Sequence, residues 1–246
     1  MGVVPQQSPL KLLKVWKPIA DHLSSQIGEK VTFKTEKSIN KFEEILYNGG
    51  YDFAYMNPYH YIVANKRQGY VAEVRATKNI KGILVMKRKG DLKRLQEKDV
   101  RYLFPSPNAF AATLLTKHEL VQKFNVDLDT LDKALYVNSH DSVYKGVSRG
   151  VGDIGGGIER TFKNLSDTRI KENLKIIHTT KEYPSHPFAF KPSMDKEVKQ
   201  RIINALLSMP DELLKALSIQ HLIKINDADY NSVKELIIKL KIMPKQ

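Results

Sequence analysis

Apolar residues recur at helical spacing from Leu12 through Leu13, Trp16, Ile19 and Ala20 to Leu23. They follow Ser8-Pro9 and precede Gly28, which predicts an amphipathic helix with a helix-opening proline and a glycine stop. Lys30 to Thr35 then alternates, as a half-buried strand does. Ser38 is placed to cap a helix that runs to Tyr47 and ends at Asn48-Gly49-Gly50. Tyr51 to Met56 reads as a short buried strand, and Pro58 stands in the first turn of a helix over Tyr59 to Lys66. Ahead of all this, Gly2-Val3-Val4 reads as the second half of a buried strand. Strand and helix alternating at this spacing imply right-handed crossovers and a mostly parallel sheet.

Two further strands, Val71 to Thr77 and Gly82 to Lys87, flank Lys78-Asn79-Ile80-Lys81, and the alternation then restarts. It gives a strand at Val100 to Phe104, a helix at Ala109 to Lys117, a strand at Lys133 to Asn138 and a helix at Asp141 to Arg149. Strands at Val151 to Gly155 and Leu174 to His178 follow, then helices at Val198 to Met209, Asp211 to Leu217 and Ser232 to Leu240. Two α/β units with the second inserted in the first are the expected organisation: residues 1–79 with 184–246, and 80–183. No repeat period appears.

Composition narrows the chemistry. Forty Lys and Arg against 27 Asp and Glu leave a formal charge of +13, which favours an anionic partner: a nucleic acid, a membrane surface or a small anion. A solvated, lysine-rich surface gives the same number. The absence of cysteine excludes disulfide scaffolds, cysteine-ligated zinc and thiol nucleophiles. No apolar run reaches the roughly 18 residues that span a membrane, and no signal peptide opens the chain. The truncated look of Gly2-Val3-Val4 leads us to expect that the natural start was removed and Met1 supplied in cloning; at the other end, either the protein stops at Gln246 or a following domain has been cut away.

In open α/β sheets, ligands bind beyond the carboxyl ends of the strands. Five strand-to-helix turns qualify: Pro5-Gln6-Gln7-Ser8, Met56-Asn57-Pro58-Tyr59, Pro105-Ser106-Pro107-Asn108, Asn138-Ser139-His140-Asp141 and Gly155-Gly156-Gly157. Each offers unpaired amides and the positive end of a helix dipole to an anion; Ser8, Asn57, Asn108 and Ser139 serve equally well as plain helix caps. The glycine run lacks dinucleotide or Walker spacing and implies a close approach of backbone to a ligand or to the other unit. Glu159 and Arg160 after it read as an internal pair. No H-E-x-x-H, no G-x-S-x-G and no paired catalytic carboxylates occur, so neither a metal, a cofactor nor an enzyme is expected. Of the histidines, His140 and His186 occupy turns between elements. Tyr55 and Tyr59 belong to a group of aromatics near the turns, better placed to line a pocket or pack a core than to stack nucleic-acid bases, and no nucleic-acid motif appears.

Taken together, GVVPQQSP, YDFAYMNPYHYIVA, FPSPNAFAATLL, NSHDSVYKGVSRGVGDIGGG, YPSHPFAF and NDADYNSVKELI resemble the phosphate/phosphite/phosphonate-binding proteins of ABC importers, which are type 2 periplasmic binding proteins. The resemblance covers essentially the whole chain. It implies an α/β, two-lobed fold of mixed, mostly parallel sheets with two hinge crossings, near Thr77 to Lys81 and Thr180 to His186, and a small anionic ligand held in the cleft. It implies an extracytoplasmic, non-enzymatic role beside the membrane permease of an importer. Carried over by motif, Tyr55 lines the ligand site with Asn57 and Tyr59 flanking it, and His140 helps hold the phosphonate group. Ser106, Asn108, Gly156 and His186 complete the expected set. The departure comes after Phe104, where Ala109-Phe110-Ala111 replaces the Ser-Thr-Ser-like hydroxyl cluster of phosphonate binders; each charge-assisted hydrogen bond so lost is worth roughly 1.5–3 kcal/mol. FPSPNAFAATLL with GGG and YPSHP also resembles relatives associated with sensor histidine kinases, so the alternative is the ligand-sensing domain of a two-component kinase for a different small molecule. The cysteine-dependent, arsenite-sensing branch is excluded.

Overall fold

Helix α1 (Pro9–Ile27) buries Leu12, Trp16, Ile19, Ala20, Leu23 and Ile27, and Gly28 ends it at φ 73°. Leu13, read above as part of that stripe, is 47% exposed; one residue turns the helix by about 100°, off the buried face. In this computed structural model the described residues are 1–97, 99–128 and 134–242. They fall into two units, Met1–Asn79 with Tyr183–Gln246, and Ile80–Glu182.

The first unit opens with β1 (Gly2–Val3), α1, β2 (Lys34–Thr35), α2 (Ile39–Tyr47), β3 (Phe53–Tyr55), α3 (Pro58–Gln68) and β4 (Val71–Ala76). Ser38 caps α2 by accepting the Lys41 N–H, as its position predicted. The second unit runs β5 (Ile80–Lys87), a 3-10 turn (Leu92–Gln96), β6 (Tyr102–Phe104), a π-helix (Phe110–Leu115), α4 (Thr116–Phe124), β7 (Ala134–Tyr136), α5 (His140–Arg149), β8 (Ile154–Ile158), α6 (Glu159–Lys163), α7 (Thr168–Asn173) and β9 (Leu174–Tyr183). The chain then completes the first unit with β10 (Pro187–Phe190), α8 (Lys196–Leu207), α9 (Asp211–Ala216), β11 (Leu222–Lys224), a 3-10 turn (Asp227–Tyr230) and α10 (Asn231–Lys239).

The first sheet has the order β11-β4-β10-β3-β1-β2 and the second β7-β6-β8-β5-β9. Both are mixed. β1 runs parallel to β2 and β3, and β6 parallel to β7 and β8, whereas β10 pairs antiparallel with β3 and β4, β11 with β4, and β5 with β8. The sheets are therefore α/β as expected, with a larger antiparallel share than the crossover pattern implied. β10 and β11 supply much of it. Their segments, PFAF and LIK, are too short to show a period beside the turns and helices around them.

Other elements differ from the sequence reading, among them β9, which runs on from His178 to Tyr183. The strand from Lys30 shrinks to Lys34–Thr35. The helix expected from Ala109 begins as a π-helix. The strand expected over Val151 to Gly155 is displaced to Ile154–Ile158, because α5 ends in the left-handed Gly150 and Val151 is still turning, its N–H bonded to the Gly146 carbonyl. The predicted strand start at Lys133 lies outside the described residues.

The second sheet shows why its glycines are glycines. Alternate strand residues face opposite sides: Leu84, Met86, Tyr102 and Phe104 pack with Leu120 on one, Ile83, Val85 and Leu103 with Val143, Tyr144 and Val147 on the other. A Cβ on Gly155 would lie 2.6 Å from Val143, and one on Gly157 would lie 2.1 Å from the Tyr144 hydroxyl. On the opposite face, a Cβ on Gly156 would lie 2.1 Å from the Ala112 carbonyl oxygen, and one on Gly82 of β5 the same distance from that of Ala111. α5 and the π-helix thus rest on bare strand backbone. β9 is tied to α4 through buried Glu119, whose carboxylate accepts from His178 Nε2 at 2.6 Å and from the Lys181 N–H at 2.7 Å. Burial alone would raise that carboxyl's pKa; these bonds and Lys123 outweigh it and hold the group below its ordinary value.

Candidate functional site

Strand direction decides which side chains meet in the first unit. β1 and β3 run parallel, so their carboxyl ends share one edge of the sheet, and antiparallel β10 begins at that edge with Phe188 opposite Tyr55. Val4 N–H donates to the Tyr55 carbonyl at 3.1 Å and Met56 N–H to that of Pro187 at 3.2 Å, which closes the edge. Tyr55 and His186 are both buried and stack there, ring centroids 5.3 Å apart at 23°. Trp16 of α1 also packs against Tyr55, ring centroids 4.8 Å apart. The Gln6 side-chain amide is hydrogen-bonded to His186 Nε2. Tyr230 fixes the turn before His186 by donating to the Ser185 carbonyl at 2.6 Å. Trp16 is absent from the expected site residues and Gln6 enters them only as part of the first strand-to-helix turn; the pairing of β10 with β3 is what brings His186 within reach of Gln6.

Asn57 and Tyr59 leave this cluster. Asn57 is buried and caps α3, its Oδ1 accepting the His60 N–H at 2.8 Å and its Nδ2 lying 3.1 Å from His60 Nε2. Fully buried His60 also meets Glu43 at 2.9 Å. The Tyr59 hydroxyl donates to the Ile242 carbonyl at 3.1 Å, and burial raises its pKa to about 12.

The second unit repeats the device. β6 is parallel to both β7 and β8, so the turns that leave all three strands open on one edge. Ser106 is buried and organises the first turn: its Oγ accepts the Asn108 N–H at 3.3 Å and its carbonyl the Thr113 hydroxyl at 2.7 Å. Ala109, Phe110 and Ala111 are buried as well. Ser139 caps α5, accepting the Ser142 N–H at 3.1 Å. His140, the first residue of that helix, is 2% exposed, and its Nδ1 has no hydrogen-bond partner. Gly156 lies inside β8 and not in a turn after it, a correction to the sequence reading. Its backbone is approached by Ala112 and Phe104 of the same unit, so internal packing accounts for the glycine. The expected Glu159–Arg160 pair is corrected too: Glu159 meets Lys163 at 2.7 Å.

Burial lowers the pKa of His140 to about 4; Asp141 opposes the shift and Arg160 adds to it. The imidazole is therefore neutral at physiological pH. Between about 6.5 and about 4 the unfolded chain binds a proton that the folded chain refuses, so stability falls as pH drops through that window. Melting temperatures measured across it are expected to decline in the native protein and to decline less in His140→Gln. Equal declines would show that the buried histidine is not the cause.

No group of three or more His, Asp or Glu side chains suited to a metal ion occurs among the described residues, and none of their helices is long and apolar enough to cross a membrane.

The chain matches, over residues 1–230, the family of periplasmic substrate-binding proteins of phosphonate ABC transporters. Among solved structures it resembles PhnD1 from Prochlorococcus marinus in complex with methylphosphonate, with a TM-score of 0.88 at 18% identity over 98% of this chain and 97% of that one. A binding-protein component of a Pseudomonas aeruginosa phosphonate transporter gives 0.89 at 15% identity over 98% and 85%. The periplasmic VFT2 domain of BvgS from Bordetella pertussis, in a double-mutant form, gives 0.59 at 15% over 88% and 90%. At such identities these likenesses speak for the fold. The match over residues 1–230 goes further, and by it the chain belongs to the phosphonate ABC-transporter periplasmic substrate-binding protein family.

Proposed function

We propose that this protein is an extracytoplasmic solute-binding protein that takes a small oxyanion of the phosphate or phosphonate type, performs no catalysis, and delivers its ligand to the permease of an ABC importer. The observation that carries the reading is the family match over residues 1–230, which spans both units. The strand ends add to it: each unit gathers helix starts and neutral polar groups at one sheet edge, the usual way to hold an anion without burying a cation. The proposed ligand set is Tyr55 and His186 from the first unit with Ser106, Asn108 and His140 from the second. Asn57, Tyr59 and Gly156 shape the surrounding backbone, since their groups are engaged with His60, Ile242 and Ala112.

A second reading, the ligand-sensing domain of a histidine kinase for a different small molecule, draws on the likeness to the BvgS periplasmic domain, which is weaker than that to the phosphonate binders. Thermal melts with phosphate, phosphite, methylphosphonate, sulfate and arsenate separate the two. A ligand at about 100 times its Kd stabilises the folded state by about 2.7 kcal/mol, so at least one phosphorus oxyanion is expected to raise the melting temperature by several degrees. No shift with any of the five removes the oxyanion reading.

A further inference from the structure

Arg160 stands at the second unit's site edge and outside the expected ligand set. It is the second residue of α6, and that turn is held against α5 by a buried network: the Tyr144 hydroxyl accepts the Ile158 N–H at 3.0 Å, donates to the Ile158 carbonyl at 3.0 Å, and lies 3.0 Å from the Thr161 hydroxyl. Tyr144 follows His140 by one helical turn, so the network sets residues 158–161 beside the helix face that starts at His140. The positive charge of Arg160 is felt at His140. Arg75, Arg101, Arg169 and Arg201 each meet a carboxylate. Arg160 is half-buried and meets none among the described residues; Glu159 is taken by Lys163, and no ion pair joins Arg160 to Asp141 in the first turn of α5. A half-buried guanidinium on the turn that packs against α5, together with a buried, neutral imidazole at the start of α5 whose Nδ1 is unpartnered, is a donor set suited to an anion.

We infer that Arg160 is an oxyanion-binding residue of this protein and that it sets ligand specificity, favouring a phosphonate whose substituent is uncharged or negative and rejecting one whose substituent is cationic. The inference rests on the proposed oxyanion function and adds to it a residue and a charge rule. A guanidinium offers two parallel N–H donors to a phosphonate or carboxylate and repels an ammonium at the same place.

The test is calorimetric titration at pH 8 with methylphosphonate, phosphonoacetate and aminomethylphosphonate, on the native protein, Arg160→Gln and Arg160→Glu. The native protein is expected to bind the first two at least about 10-fold more tightly than the third, and Arg160→Gln to lose roughly 10-fold or more on both, the range of one charge-assisted hydrogen bond. Arg160→Glu is expected to shift preference toward aminomethylphosphonate. The melting temperature of each variant without ligand should match the native value, because Arg160 meets no carboxylate among the described residues. Native binding of methylphosphonate with unchanged affinity in Arg160→Gln overturns the role of Arg160 while leaving the oxyanion function standing. No binding of any phosphonate by the native protein overturns both.

Discussion

Replacing Gly156 with alanine is expected to destabilise the second unit by about 3 kcal/mol or more, at the upper end of what overpacking costs. The new methyl carbon would sit 2.1 Å from the Ala112 carbonyl oxygen and 2.5 Å from the Phe104 ring. Neither neighbour is free to retreat. Ala112 lies in the π-helix, its carbonyl accepts the Thr116 hydroxyl at 2.7 Å, and the adjoining Ala111 carbonyl is already seated on Gly82 of the next strand. Phe104 is fully buried in the core on that face. At about 2–4 °C per kcal/mol for a chain of this size, the melting temperature should fall by roughly 6–12 °C. Gly28→Ala is the control. It carries the left-handed φ of 73° but has open space around it, so it should lose only the roughly 1–2 kcal/mol of left-handed strain. Similar losses in the two variants would mean that conformational freedom, and not the seating of the π-helix, explains the glycine run.

Trp16→Ala is expected to cost the first unit about 3–5 kcal/mol, the range for truncating a buried large aromatic. Trp16 is 3% exposed and packs at 4.8 Å from Tyr55 and 6.0 Å from Phe188. Its removal opens a cavity against the Tyr55 ring, which is also stacked on His186. The variant should therefore lose ligand affinity as well as stability, while Trp16→Phe, which refills much of the space, should retain most of both. The chain has a single tryptophan, so urea unfolding of these variants has to be followed by circular dichroism in place of fluorescence. A native midpoint in Trp16→Ala would show that Tyr55 is held by other contacts.

The helical stripes and caps were legible in the sequence because they are local. Ser38, Asn57 and Ser139 each cap the helix that their position announced, and Gly28 and Gly150 stop helices in the left-handed region. What lay beyond reach depends on contacts between distant segments. The pairing of β10 with β3, which brings His186 onto Tyr55, joins residues more than a hundred positions apart. The glycine run carries no periodic signal, having no side chains to alternate, so the sequence does not show that the strand extends through it to Ile158 or what packs on it. The π-helix has no sequence period of its own; it follows from two strands, at Gly82 and Gly156, that leave room for carbonyl oxygens. The expected pairing of Glu159 with its neighbour Arg160 failed for a geometric reason, since adjacent helical residues diverge and Lys163 lies one turn on. The i, i+4 preference pairs Glu159 with Lys163 and leaves Arg160 without a carboxylate among the described residues.

The charge of +13 is a guide to the ligand's approach more than to its seat, because the groups proposed to hold the anion are mostly neutral: Ser106, Asn108, His140, His186 and helix amides, with Arg160 the exception. The most direct measurement of the central claim is calorimetric titration of the purified protein with phosphate, phosphite and methylphosphonate at neutral pH. Saturable binding of at least one of them, with one site per chain, is the predicted result. Absence of heat with all three would contradict it.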